Sequence, residues 1–168
     1  VLNRLLMQYR EIKLDDKIYK LFTNDLANSR KVIYCTDNCG EIVLDKLLIK
    51  YLTLYYPQLE IQVIVRGEEI GNDASIEDAE NISMQEVAAF EGNGTTIAGT
   101  SLHLLSDELK KKFYKADMII SKGQGNYETL SGSGLNIYYL FLCKCNHLQK
   151  IFLAKFLDPI FSMECERR

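Results

Sequence analysis

Four short polar stretches hold the residue types that could do chemistry. Asp37 and Asn38 stand side by side in Thr36-Asp37-Asn38-Cys39-Gly40-Glu41, and Asp73 closes Arg66-Gly67-Glu68-Glu69-Ile70-Gly71-Asn72-Asp73. Two carboxylates and an amide carbonyl are hard oxygen donors. That set suits Mg²⁺ or Mn²⁺, with water or substrate oxygens filling the remaining positions. Lys122 adds a positive charge, and Gly99-Thr100-Ser101 and Gly123-Gln124-Gly125-Asn126 are turns whose backbone N–H groups can face a phosphate. A cation, a lysine and open amides are the parts that stabilise a phosphoryl group in transfer. Each feature also has a plain structural explanation. Asp37 or Asn38 can cap a following helix, Asn72-Asp73 can be a turn that starts one, and Lys122 can be a surface lysine. The Gly-x-Gly at 123–125 lacks the third glycine of the dinucleotide fingerprint, and no P-loop is present.

These residues act together only if secondary structure brings them to one place. Val32 to Cys35 is a near-continuous apolar run, as in a strand buried on both faces. Ile61 to Val65 is a second strand, Thr95 to Ala98 reads as a third, Met118 to Ser121 as a fourth and Ile137 to Leu142 as a fifth. Helical spacing appears in Asp15 to Asn28, from Ile42 to Leu52, in Ser75 to Glu80, in Met84 to Phe90, in Asp107 to Lys115 behind a capping Ser106, and from His147 to Phe156. Strand and helix in alternation mean βαβ units. The fold predicted is therefore α/β, three layers α/β/α around a mostly parallel, doubly wound sheet. Ligands in such sheets sit beyond the carboxyl ends of the strands. The polar stretches named above follow the first four strands directly, and this convergence is what favours a site.

Composition narrows the class. The 168 residues fit one domain with a real core, and 47% apolar with 26% charged residues is a globular balance. A formal net charge of -3 argues against a general nucleic-acid binder, and Lys110 to Lys112 reads as the solvated face of a helix. No run reaches the roughly 18 apolar residues of a membrane span, and the first ten residues do not read as a signal peptide. Five cysteines in no disulfide framework suggest free thiols and a cytoplasmic protein.

The same blocks resemble a known family. Asp37-Asn38-Cys39-Gly40-Glu41-Ile42-Val43-Leu44-Asp45, then Arg66-Gly67 with Asn72-Asp73-Ala74, then Gly99-Thr100-Ser101, then Lys122-Gly123-Gln124-Gly125-Asn126-Tyr127-Glu128-Thr129-Leu130 are similar to the damage-control phosphatases, in the branch common in archaea and bacteria. The resemblance runs from about Lys31 to Phe156. It implies a phosphatase needing Mg²⁺, Mn²⁺, Co²⁺ or Ni²⁺ and acting on small phosphorylated metabolites. It implies metal ligands at Asp37, Asn38 and Asp73, and phosphate contacts at Lys122, Gly99, Thr100, Ser101, Gly123 and Asn126. The nucleophile, water or Asp37 itself, stays open. Two departures stand out. Cys39 replaces the family's usual alanine. The family's helical region before the first strand is longer than the 1–30 segment here, which reads as its remnant ahead of an α/β phosphatase domain at 31–168. Two other readings compete: a fragment that binds metal or phosphate without turnover, and a carboxyl methyltransferase, although no Gly-rich adenosylmethionine loop follows the first strand.

Overall fold

The computed structural model describes residues 14–164. The reading of the first ten residues, the start of the 1–30 segment and Cys165 lie outside them. In chain order the elements are α1 (Asp16–Asn28), β1 (Lys31–Cys35), α2 (Ile42–Tyr55), β2 (Glu60–Val65), α3 (Ile76–Asn81), β3 (Ala89–Gly92), α4 (Asp107–Lys115), β4 (Met118–Lys122), α5 (Gln124–Leu130), β5 (Ile137–Leu142), α6 (Asn146–Phe152) and β6 (Pro159–Met163). Local side chains start several helices. Asp15 accepts from the Lys17 and Ile18 amides at α1, Ser75 and Asp78 form a capping box at α3, and Ser106 caps α4.

The strands form one sheet in the order β3-β2-β1-β4-β5-β6. All neighbours are parallel except β5 and β6. The chain therefore builds outward from β1 through β2 to β3, then returns to the other side of β1 for β4 and β5. The direction reverses between β1 and β4, and in open α/β sheets the ligand crevice lies at that reversal.

Strand alternation divides the core in two. Val32, Tyr34, Val63 and Ile120 point to one face, where Leu26 of α1 and Ile49 and Leu52 of α2 cover them. Ile33, Cys35, Ile64 and Ile119 point to the other, under Leu109 and Phe113 of α4, Leu130 of α5 and Leu148 of α6. Both faces are apolar because both are covered, so β1 reads as a continuous run instead of an alternation. The fold is the expected three-layer α/β architecture.

Three expected elements differ. The third strand is Ala89–Gly92, pairing with Gln62 to Val65 of β2, and not Thr95 to Ala98. The Asn93 side chain folds residues 93–95 into a turn by accepting from the Thr95 amide and hydroxyl at 3.0 and 3.1 Å, which removes that backbone from a ladder. The helix expected over Met84 to Phe90 is a single 3-10 turn, Met84–Glu86, entered from Ser83 in the left-handed region. α6 stops at Phe152 because Leu153 takes a left-handed conformation. β6 was not expected at all. It is a short edge strand that opens with Pro159, a position where the missing N–H is tolerated. No helix among the described residues is long and apolar enough to cross a membrane.

Candidate metal and phosphate site

Beyond the end of β1 the main chain itself brings the candidate donors together. Residues 37–39 run antiparallel to 72–74, with an isolated bridge between Asn38 and Asp73. The Cys39 amide donates to the Asn72 carbonyl at 2.9 Å and the Ala74 amide to the Asp37 carbonyl at 2.7 Å. Asp37, Asn38 and Asp73 are thus neighbours in space. Asn38 Oδ1 accepts from the Gly40 amide at 2.7 Å and keeps a second lone pair. Neither Asp37 nor Asn38 caps α2, whose N-cap is Glu41 and which has no side-chain cap. Among the described residues no hydrogen bond reaches the Asp37 carboxylate.

A buried arginine supports this arrangement from below. Arg66, at the end of β2, is 1% exposed. Its Nε donates to Asp73 Oδ2 at 2.6 Å, and its Nη1 donates to Thr100 Oγ1 at 3.2 Å and Asn126 Oδ1 at 3.3 Å. Thr100 Oγ1 donates to Asn126 Oδ1 at 2.8 Å, and the Thr100 amide donates to Thr129 Oγ1 at 2.8 Å. Asn126 Nδ2 donates to the carbonyls of Thr36 and Lys122. Thr100 and Asn126 are fully buried and committed to internal bonds, a placement unlike the open phosphate contact expected for them. Gly99 packs on the α5 backbone at Gly125, and Ser101, half-buried, opens the turn that accepts from the Leu104 amide. Gly123 has φ +84° and lies against the Asp37 carboxylate, where a Cβ would collide with it. The Gly123 amide donates to the Leu140 carbonyl at 2.9 Å.

Lys122 is held in a clamp. Its Nζ donates to Asp45 Oδ1 at 2.9 Å and Glu41 Oε2 at 3.0 Å. Asp45, 2% exposed, also accepts from the Tyr34 hydroxyl at 2.7 Å. Burial pushes the Lys122 pKa down, but Asp45 and Glu41 outweigh it and hold it above the ordinary lysine value. Burial raises the Asp45 carboxyl, against the opposing pull of Lys122 and Tyr34. Asp37 is likewise raised, first by burial, then by the charges of Asp73 and Glu41, with Arg66 and Lys144 opposing.

Asp37, Glu41, Lys122, Gly123, Gln124 and Lys144 line a cavity of about 460 Å³ together with Leu14 and mostly apolar side chains of α1, α2, β5 and β6. Among the described residues no three His, Cys, Asp or Glu side chains gather as a metal cluster. The donor set here is two carboxylates and an amide. Hard oxygen donors of this kind, with no hydrogen bond to the Asp37 carboxylate among the described residues, fit a divalent cation of the Mg²⁺ or Mn²⁺ kind.

Three residues of this site escaped the sequence reading of candidates. Arg66 was legible only as part of a strand-closing Arg-Gly, and Asp45 only as the last residue of the block that begins at Asp37, with no role given to either. Lys144 follows the fifth strand, where the strand-end rule points to it, but beside Cys145 alone it is less telling than the other strand ends.

The doubly wound α/β domain thus gathers acidic oxygen donors and lysines at its topological switch point. The chain belongs to the Damage-control phosphatase ARMT1-like domain family, whose model matches residues 5–155. It is 35% identical over 140 residues to a damage-control phosphatase of Pyrococcus horikoshii, covering 80% of this chain and 48% of that protein. It is 40% identical over 120 residues to a damage-control phosphatase of Archaeoglobus fulgidus, covering 70% and 41%. An uncharacterised protein of Methanocaldococcus jannaschii is 38% identical over 141 residues, covering 80% and 45%. The crystal structure of a DUF89 family protein from P. horikoshii matches 98% of this chain and 57% of its own, with TM-score 0.85 and 30% identity. The chain thus spans under half the length of the curated relatives it matches.

Proposed function

We propose that this chain carries the site of a divalent-metal-dependent phosphatase that hydrolyses small phosphorylated metabolites, sugar phosphates or damaged or excess phosphate esters. The carrying observation is the main-chain pairing that sets Asp37 and Asn38 against Asp73 beside a lysine-rimmed cavity. Asp37, Asn38 and Asp73 would hold Mg²⁺, Mn²⁺, Co²⁺ or Ni²⁺. Such a cation, when bound, polarises a phosphoryl oxygen and offsets its charge. Hydrolysis breaks the ester P–O bond, adds the oxygen of water to phosphorus and returns a proton to the departing alcohol.

The protein's own groups orient that exchange. Lys144 is exposed on the rim and close enough for its charge to act on Asp37, so it is free to bind phosphate oxygens. Lys122 contributes charge from within its clamp and keeps Glu41 turned toward the cavity. Gly123 leaves the Asp37 carboxylate uncovered, while Thr100 and Asn126, bonded to each other and to Arg66, are buried behind Asp73.

The test is phosphate release from a panel of sugar and nucleotide phosphates after chelation, with each of the four metals restored separately. Turnover that persists without metal would overturn the mechanism. Asp37→Ala and Asp73→Ala should each abolish the metal-dependent rise in melting temperature. A second reading, binding without turnover, draws on the chain's matching under half of its relatives' length. Saturable binding of a phosphate ester with no phosphate released would select it.

A further inference from the structure

Arg66 heads the fully buried large side chains of the described chain, although it is a cation. Replacing a buried ion pair by apolar groups is often neutral or stabilising, so stability alone is a poor account of it. Its contacts suggest another. The guanidinium binds Asp73 from the 66–75 turn, Thr100 from the loop before α4 and Asn126 from α5. Asn126 then holds the carbonyls of Thr36, which precedes Asp37, and of Lys122. One side chain therefore links the ends of β1, β2 and β4. Its Nε takes Oδ2 of Asp73, and among the described residues no hydrogen bond reaches Oδ1.

We propose that Arg66 is a positioning residue of the metal site. It fixes the Asp73 carboxylate by one oxygen so that the other is presented to a cation, and it fixes Thr100 and Asn126 behind. The planar fork of a guanidinium can hold all of these partners in one geometry, whereas an ammonium can reach only some of them. The inference rests on the metal-binding reading above.

Coulomb's law makes the test discriminating. Removing a positive charge beside a cation site should by itself tighten cation binding. Loss of positioning should weaken it, by about 10–100-fold for a residue that orients a ligand from behind. Titrating Mn²⁺ alone into wild type, Arg66→Met, Arg66→Lys and Thr100→Val by calorimetry separates the two. The expected result is weaker Mn²⁺ binding in Arg66→Met, a smaller loss in Arg66→Lys and in Thr100→Val, and an altered Co²⁺ visible spectrum in Arg66→Met as Asp73 becomes free to bind through both oxygens. Unchanged or tighter Mn²⁺ binding in a folded Arg66→Met protein overturns the proposal, even if its melting temperature falls. If Arg66→Met does not fold, Thr100→Val decides, and unchanged affinity there overturns it. A wild type that binds no Mn²⁺ overturns the metal reading and this inference together. A wild type that binds, matched by its variants, overturns the inference alone.

Discussion

Gly123→Ala should damage the site and the fold together, by an amount the geometry sets. Gly123 has φ 84° and ψ 153°, a region that is essentially glycine-only. Placing alanine there costs about 1–3 kcal/mol in backbone strain. The added Cβ would fall on the carboxylate of Asp37, so Asp37 must leave its position or the chain must shift. Forcing a side chain off its rotamer adds roughly 0.5–1.5 kcal/mol. Together the substitution should lower stability by about 2–4 kcal/mol, or roughly 4–16 °C in melting temperature for a domain of this size. Gly132→Ala is the control. It has the same φ of +84°, and an added Cβ meets nothing within 4 Å. It should show only the conformational part, about 1–2 kcal/mol. Urea denaturation of both variants, each with and without Mn²⁺, makes the comparison. Gly123→Ala should also lose the stabilisation given by Mn²⁺, and Gly132→Ala should keep it. Equal losses of stability, with both variants still responding to Mn²⁺, would refute the claim that Gly123 is small to leave Asp37 its place.

Other substitutions probe separate parts of the site and fold. Lys144→Ala would remove the proposed charge-assisted contact to phosphate, worth about 1.5–3 kcal/mol. It should raise KM for a phosphate ester about tenfold or more while leaving the Mn²⁺ thermal shift intact, and an unchanged KM in steady-state kinetics would remove Lys144 from the phosphate site. Lys122→Met leaves Asp45 buried without its cation, a break that costs about 3–5 kcal/mol. Burial already raises the Asp45 pKa, and losing Lys122 raises it further. A raised folded pKa gives stability that is full below the unfolded value and lost as pH rises, so this variant should be more stable at pH 5 than at pH 8 relative to wild type. Equal deficits at both pH values in urea melts would contradict the buried pair. Asp117 behaves oppositely. Hydrogen bonds from the Lys31 and Arg30 amides hold its pKa below the usual carboxylate value. Its contribution is present above about pH 4 and fades as pH falls through the folded pKa. Asp117→Asn should therefore flatten the acid limb of stability, and an unchanged limb would show that these bonds do not favour the charged form.

Much of the architecture was legible because burial on both faces leaves a strong mark. Val32 to Cys35, Ile61 to Val65, Met118 to Ser121 and Ile137 to Leu142 are runs that only a covered strand produces. The edges were not legible. Ala89–Gly92 pairs on one side only and contains a glycine and a glutamate, so its pattern is weak beside Thr95 to Ala98, which looks more strand-like. The Asn93 turn decides against the latter, and a side chain folding back on its own backbone has no signature in periodicity. The strand-end rule put Asp37, Asn38, Asp73 and Lys122 on one side of the sheet. It could not show that Lys122 turns toward Glu41 and Asp45, since that depends on the register of α2 over β4. It placed Arg66 at the end of the second strand but could not reveal its role, since its partners lie 7, 34 and 60 positions away.

The pairing of 37–39 with 72–74 is made by peptide groups and not by the side chains that would meet a ligand. Location and chemistry are therefore separable at these positions. A different donor can be written at 37, 38 or 73 without erasing the address to which it is delivered. Under the metal-binding reading proposed above, such a scaffold would allow the ion preference to be retuned one substitution at a time, with the frame around the ion intact.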